Sequence, residues 1–221
     1  HPKLLDWLAH DFSSSGWDMK RMLKKVLMSS TYRQSTSASP ELISRDPENL
    51  FLARAPSYRL PAEMIRDNAL AASGLLWRQM GGASAKPYEV AFSFKAVGRD
   101  KGQGLYRRSV YTYWRRTGPA PEMMALDASK RSVCRARREA TSTPLQALVL
   151  LNSPQFVEAA RALGEAMLRE HGNDDASLVR GMFRSLTSRE PTAAERTVLT
   201  LLFSEQLAHF EKNTKQAKEF F

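Results

Sequence analysis

Six arginines, Arg107, Arg108, Arg115, Arg116, Arg135 and Arg138, carry the most conspicuous chemistry in this sequence. They lie within Lys95 to Arg138, a stretch with twelve Lys or Arg and only three Asp or Glu. The remainder holds 21 basic and 20 acidic residues, so nearly all of the formal net charge of +10 belongs to one region. A guanidinium can grip a carboxylate or phosphate bidentately and can stack on rings such as Tyr111, Tyr113 and Trp114. Two readings follow. Acids from elsewhere in the fold converge and pair these arginines internally, or a positive surface remains that draws an acidic protein or polyanion. The local acids are too few to neutralise them all.

The only cysteine, Cys134, sits among Arg131, Arg135 and Arg138. Neighbouring cations stabilise a thiolate, which makes it a candidate reactive thiol. Free cysteine is also among the most buried residue types, and packing is the preferred reading. One cysteine forms no disulfide within the chain.

Other chemical motifs are missing. His1, His10, His171 and His209 have no metal-ligand spacing, and one cysteine supplies no zinc set, so no metal is expected. There is no CxxCH for covalent haem and no GxSxG elbow. The glycine-rich run Gly98 to Gly104 lacks both phosphate-loop orders and reads as a turn. Asp67 and Asp127 could serve acid-base chemistry, but helix-surface and capping roles are commoner for such carboxylates. The longest apolar run, Ala147 to Leu151, is far short of the roughly 20 residues that span a bilayer.

The elements that must hold these residues read as mainly helical. Pro2 to Phe12 carries Leu4, Leu5, Leu8 and Phe12 at helical spacing. Asp18 is placed to cap a second helix with Met19, Met22, Leu23, Val26 and Leu27 on one face. Ser35 to Pro40 reads as a loop. A helix from Pro61 through Ala71 has Met64, Ile65, Ala69 and Ala72 as its apolar set, with Gly74 near its end. Tyr88 to Phe94 and Leu105 to Trp114 alternate with period two, which predicts a β-hairpin. Asp127 to Ala140 would place Arg131, Cys134, Arg135 and Arg138 along one helical face. Thr143-Pro-Leu-Gln146 and Thr192-Ala-Ala-Glu195 are capping boxes, and Ser153-Pro154 opens another helix. The polar end from Glu211 is expected to fray. The expected architecture is a single mainly α domain over 1–221, with N-terminal helices in 1–82, an inserted β-hairpin and loop in 83–120, C-terminal helices in 121–221, and one shared core.

The stretch RRSVYTYWRRTGPAPEMMALDASKRSVCRARREATSTPLQALVLLNSPQFVEAARAL, from Arg107 to Leu163, resembles the PSD-one domain, a planctomycete-type domain of unknown function. HPKLLDWLAHDF, GWDMKRMLKKVLMSSTYRQS, RDPENLFLARAPSYRLPAEMIRDNALAASGLL and the late SREPTAAE turn fit the same pattern. Ala125-Leu126-Asp127 and Ser129-Lys130-Arg131 depart from it and add positive charge. The resemblance implies a C-terminal domain of a larger, exported protein, with a companion planctomycete-type domain and a c-type cytochrome domain upstream. Any haem would then belong to a separate domain, with no cofactor in this segment, and the location would be extracytoplasmic. The chain opens His1-Pro2 without methionine and is read as a segment or processed product, so the lack of a signal peptide says nothing about compartment. No reaction is established for the family, and no catalytic residue is carried over.

The expected function is a non-catalytic docking module. Its partners would be the other domains of the same full-length protein and an acidic protein or polyanion at the basic surface. The alternative is an enzyme domain, oxidoreductase-associated, with a pocket beneath the Arg/Cys segment. Nucleic-acid binding ranks last, because it rests on charge and interleaved aromatics alone and no nucleic-acid fold signature is present.

Overall fold

The computed structural model describes residues 1–87, 98–115, 119–131, 133–134 and 136–220, without the side chains of 219–220. Ten α-helices occur among them: α1 (Pro2–Ser14), α2 (Met19–Leu27), α3 (Pro40–Arg45), α4 (Ala62–Ala72), α5 (Pro121–Ala125), α6 (Pro144–Asn152), α7 (Pro154–His171), α8 (Asp175–Thr187), α9 (Ala193–Lys212) and α10 (Thr214–Phe220). The chain divides into two compact units, His1–Arg59 and Leu60–Phe221.

In the first unit the Asp18 carboxylate accepts from the Arg21 backbone N–H at 3.0 Å and starts α2, as its position predicts. Asp11 on α1 receives Lys25 at 2.6 Å and Arg21 at 3.2 Å, so these two cations tie α2 to α1. Phe12 meets Trp17 edge-on at 5.1 Å. Within itself this unit encloses no apolar side chain, and its one buried polar residue is Asp46, which accepts from the Leu50 and Phe51 N–H groups.

The second unit is built on α7. Proline at the first position of α7 leaves no orphaned donor there, and Gly172 ends the helix at φ +61. Phe156, Ala159, Leu163 and Met167 recur along one buried stripe. Among the described residues two buried apolar clusters are found where a single core was expected. Phe156 joins Ala62, Ala120, Met123, Leu126 and Ala128, while Leu163 and Met167 join Leu178. Helices α4, α6 and α8 pack on α7, and α9 packs on α8. On α6 Leu145 and Leu148 are 55% and 56% exposed, and it is Val149 that turns inward.

Of the apolar set expected on α4, Ile65 and Ala69 pack on the first cluster and Met64 is exposed, while the fully buried stripe is Ala62, Arg66 and Leu70, four residues apart. Arg66 is 1% exposed and reaches out of the helix to the following segment. Its Nη2 donates to the Leu105 carbonyl at 2.7 Å. Its Nη1 donates to the Arg107 carbonyl at 2.8 Å and to Ser109 Oγ at 3.0 Å, and its Nε donates to Gln155 Oε1 of α7 at 2.6 Å.

These contacts explain a correction. The second hairpin strand, Leu105 to Trp114, is not a strand but two 3-10 turns, Gly102–Tyr106 and Ser109–Tyr111. Carbonyls that a ladder would use are taken by the guanidinium. Only isolated bridges, Trp77 with Arg107 and Ala85 with Thr112, remain among the described residues. The first strand, Tyr88 to Phe94, lies outside those residues.

The late turn and last helices follow the sequence more closely. Glu195 accepts the Thr192 N–H at 2.9 Å, completing the capping box of α9, and also takes Arg189 at 2.6 and 2.8 Å. The end expected to fray is helical, through Lys212 and again over α10.

Two predictions follow from this packing. Replacing Arg66 by Met should destabilise the protein by at least about 3 kcal/mol in chemical denaturation, because several buried acceptors lose their donor together. Arg189, then the Thr192 N–H, hold the Glu195 carboxyl at about 2 against an ordinary 4.5. A carboxylate depressed on folding stabilises the native state above its unfolded value, so this contribution is complete above pH 4.5 and is lost as pH falls through about 2. Carboxyl NMR should give Glu195 a midpoint near 2, and Glu195→Gln should remove that part of the acid sensitivity.

Candidate functional site

The basic region separates into an interior group and a surface group. Arg107 is 7% exposed. Its guanidinium donates to the Gly81 and Ala83 carbonyls and lies 3.9 Å from the Tyr111 ring centroid, with Trp77 at 5.8 Å. Gly81 and Gly82 take φ +73 and +85, a backbone only glycine adopts readily, and this turns the loop around the guanidinium. Arg107 is therefore an interior group rather than part of a surface field. Arg108 is exposed and Arg115 half-buried. Arg138 bonds Glu63 of α4 at 2.7 Å with half of its side chain exposed. Arg116 and Arg135 lie outside the described residues.

The helix expected over Asp127 to Ala140 does not form. Asp127 leaves α5 at φ +60 and Arg131 adopts φ +57, left-handed positions that an α-helix cannot contain. The described residues of 128–140 form an irregular strap pinned at both ends. At its start Trp114 Nε1 donates to the Lys130 carbonyl at 2.9 Å, and Arg131 stacks 4.8 Å over the Trp114 ring. At its end Asp127 accepts the Thr141 N–H at 2.7 Å, the Thr141 hydroxyl at 2.8 Å and Gln146 Nε2 at 3.2 Å. Between the pins Lys130, Arg131, Val133, Arg137 and Arg138 are exposed. Cys134 is exposed too, which overturns its packed reading. The irregular backbone leaves the thiol in solvent rather than against the core.

Asp67 and Asp127 are each engaged locally. Asp67 accepts both the N–H and the hydroxyl of Ser109, at 2.8 and 2.7 Å, and lies 3.5 Å from Arg66. Asp127 holds the strap end and borders a cavity of about 240 Å³ with Lys130 and Arg138. Both are positioned as anchors.

Two other cavities were not anticipated. One, of about 540 Å³ along α7 and α8, is bordered by His171, Arg180 and Arg184. Glu190 pins both arginines, Arg180 at 2.8 and 2.9 Å and Arg184 at 3.3 Å. The second, about 340 Å³, opens at the start of α7 beside Arg99 and Glu122. Nearby, the Tyr106 hydroxyl donates to Glu158 at 2.6 Å, and this bond, with burial, pushes its pKa up. Sequence spacing gave no signal for these groups, because Glu122, Ser153 and Glu158 reach one neighbourhood only when α5 and α7 pack. No group of three His, Cys, Asp or Glu that could hold a metal occurs among the described residues. No described helix is long and apolar enough to cross a membrane.

A family model described as PSD1, protein of unknown function (DUF1553), matches residues 1–203. No curated protein and no solved structure matches the chain.

The exposed strap predicts that a maleimide will label Cys134 in the native protein as completely as in denaturant. Protection in the native state, read by mass spectrometry, would contradict the surface position.

Proposed function

The chain belongs to the PSD1 family of proteins of unknown function, and from that premise we propose that it is a non-catalytic docking module whose basic strap receives an acidic protein or polyanion. One observation carries this reading. The strap exposes Lys130, Arg131, Arg137 and Arg138 on irregular backbone, while Trp114 and Asp127 hold its two ends. Pinned ends reduce the ordering cost of binding, and clustered cations raise the encounter rate with an anionic partner. Arg108 adds a further exposed charge on the neighbouring segment.

We extend the proposal to context: the module sits in a larger, extracytoplasmic, cytochrome-linked protein. The motif resemblance is what supports that extension.

Heparin is the probe. It should be retained at low ionic strength and released as salt screens the field, whose reach is about 8 Å at physiological salt. Changing Arg108, Arg131 and Arg137 together to glutamine should weaken retention by about tenfold or more, since each lost charge removes a charge-assisted contact. Absence of binding at low salt, or binding unchanged in the triple variant, would remove the basis of the proposal.

A further inference from the structure

The cavity at the start of α7 is bordered by polar groups that have no partner among the described residues. Ser153 caps the 18-residue helix α7 by position, yet its side chain makes no capping bond. Its residue is 7% exposed and its hydroxyl oxygen, fully buried, has no hydrogen-bond partner among the described residues. Across the cavity, Glu122 Oε2 is likewise buried and unpartnered. A buried polar atom without a partner is costly, and two bordering one cavity of about 340 Å³ point to something that satisfies both.

The helix end supplies a third donor. Pro154 has no N–H, and the Phe156 and Val157 N–H groups both donate to the Ser153 carbonyl at 3.0 Å. In the first turn this leaves the Gln155 N–H, at the positive end of the helix dipole. The Gln155 side chain is held elsewhere, between Arg66 and the Leu105 carbonyl. Arg99 adds a cation at the rim. Among the described residues its ion-pair contact, to Glu158, is long at 3.9 Å, and Glu158 is already bonded to Tyr106. Pro87, Pro121 and Pro154 complete the wall with rigid apolar surface.

We propose that this cavity binds a small organic monocarboxylate, its oxygens received by Arg99, the Ser153 hydroxyl and the Gln155 N–H, its apolar body against the three prolines. The volume lies near the lower end of the roughly 300–1,000 Å³ usual for ligand sites, which restricts the ligand to a small acid or a chain end. Glu122 selects against more highly charged anions. Burial raises the pKa of its carboxyl, opposed by a hydrogen bond from its own backbone and then by Arg99, so protonation is easier there than at an exposed glutamate and a protonated carboxyl can donate to the ligand. The second charge of a dianion would lie beside a carboxyl that can ionise, with no cation other than Arg99 among the described lining residues. This site is separate from the strap and does not depend on the docking proposal.

The test uses the whole chain and benzoate, with the Gln155 amide resonance as readout. Benzoate should shift that resonance saturably and neutral benzamide should not. Arg99→Gln should weaken benzoate by about tenfold, the usual scale for one charge-assisted bond. Ser153→Ala should weaken it severalfold without unfolding, because the hydroxyl bonds nothing in the chain. Glu122→Gln keeps a neutral donor and should bind within about twofold of the parent, since the same hydrogen bond remains available. A short peptide with a free C-terminus that displaces benzoate, where its amidated form does not, would identify a chain end as the source of the carboxylate. Displacement by free acids alone would identify a metabolite. No saturable shift, an equal response to benzamide, tighter binding of inorganic phosphate, or indifference to Arg99→Gln would each overturn the assignment.

Discussion

A guanidinium buried to 1% exposure sets the terms for the second unit. Removing a charge from water is tolerable only when its donors are matched, and Arg66 matches them with the Leu105 and Arg107 carbonyls, Ser109 and Gln155. Three parts of the chain separated by tens of residues thereby meet at one side chain: α4, the segment after the glycine loop, and the start of α7. Gln155 closes the circuit by donating to the same Leu105 carbonyl at 3.1 Å, and Asp67 closes it from the other side through Ser109. A carbonyl held by Arg66 is unavailable to a β-ladder. The 3-10 turns follow from that competition.

The same arrangement divides the arginines by role. Because Arg66 fixes the backbone at 105–109, the Arg107 side chain is carried inward, where the loop at Gly81 to Ala83 and Tyr111 enclose it. Trp114, a few residues later, is left to anchor the strap through Lys130 and Arg131. The positive region read from the sequence is thus two structures in succession. One is an internal cage and the other a pinned, exposed strap.

The helices were legible where local chemistry decides them. Asp18, Thr143 and Thr192 mark their helix starts, and Gly172 ends one. Periodicity failed where a charged residue lies in the core. On α4 the apolar spacing placed Ile65 and Ala69 correctly but took in the exposed Met64 and passed over the buried stripe of Ala62, Arg66 and Leu70, because an arginine carries no apolar signal. Alternation from Leu105 to Trp114 reflects rings and an arginine packing on one another, which has the same period as a strand and a different cause. The strap was misread because spacing places Arg131, Cys134 and Arg138 on one helical face, while Asp127 and Arg131 take left-handed backbone. The cavity at α7 was illegible for a simpler reason. Its unpartnered atoms on Glu122 and Ser153 are brought together by packing, and no local spacing encodes that.

The account rests on Arg66 being an interior donor, and the side-chain protons of that residue report it directly. In heteronuclear NMR of the whole chain, the Arg66 Nε–H should resolve from the other arginines and exchange with solvent as slowly as core backbone amides, with hydrogen-bond couplings to the Leu105 and Arg107 carbonyls detectable from its Nη groups. An Arg66 Nε–H that exchanges as fast as those of exposed arginines such as Arg137 would show that the guanidinium is open to water, and would contradict the circuit from which the rest of the unit is derived.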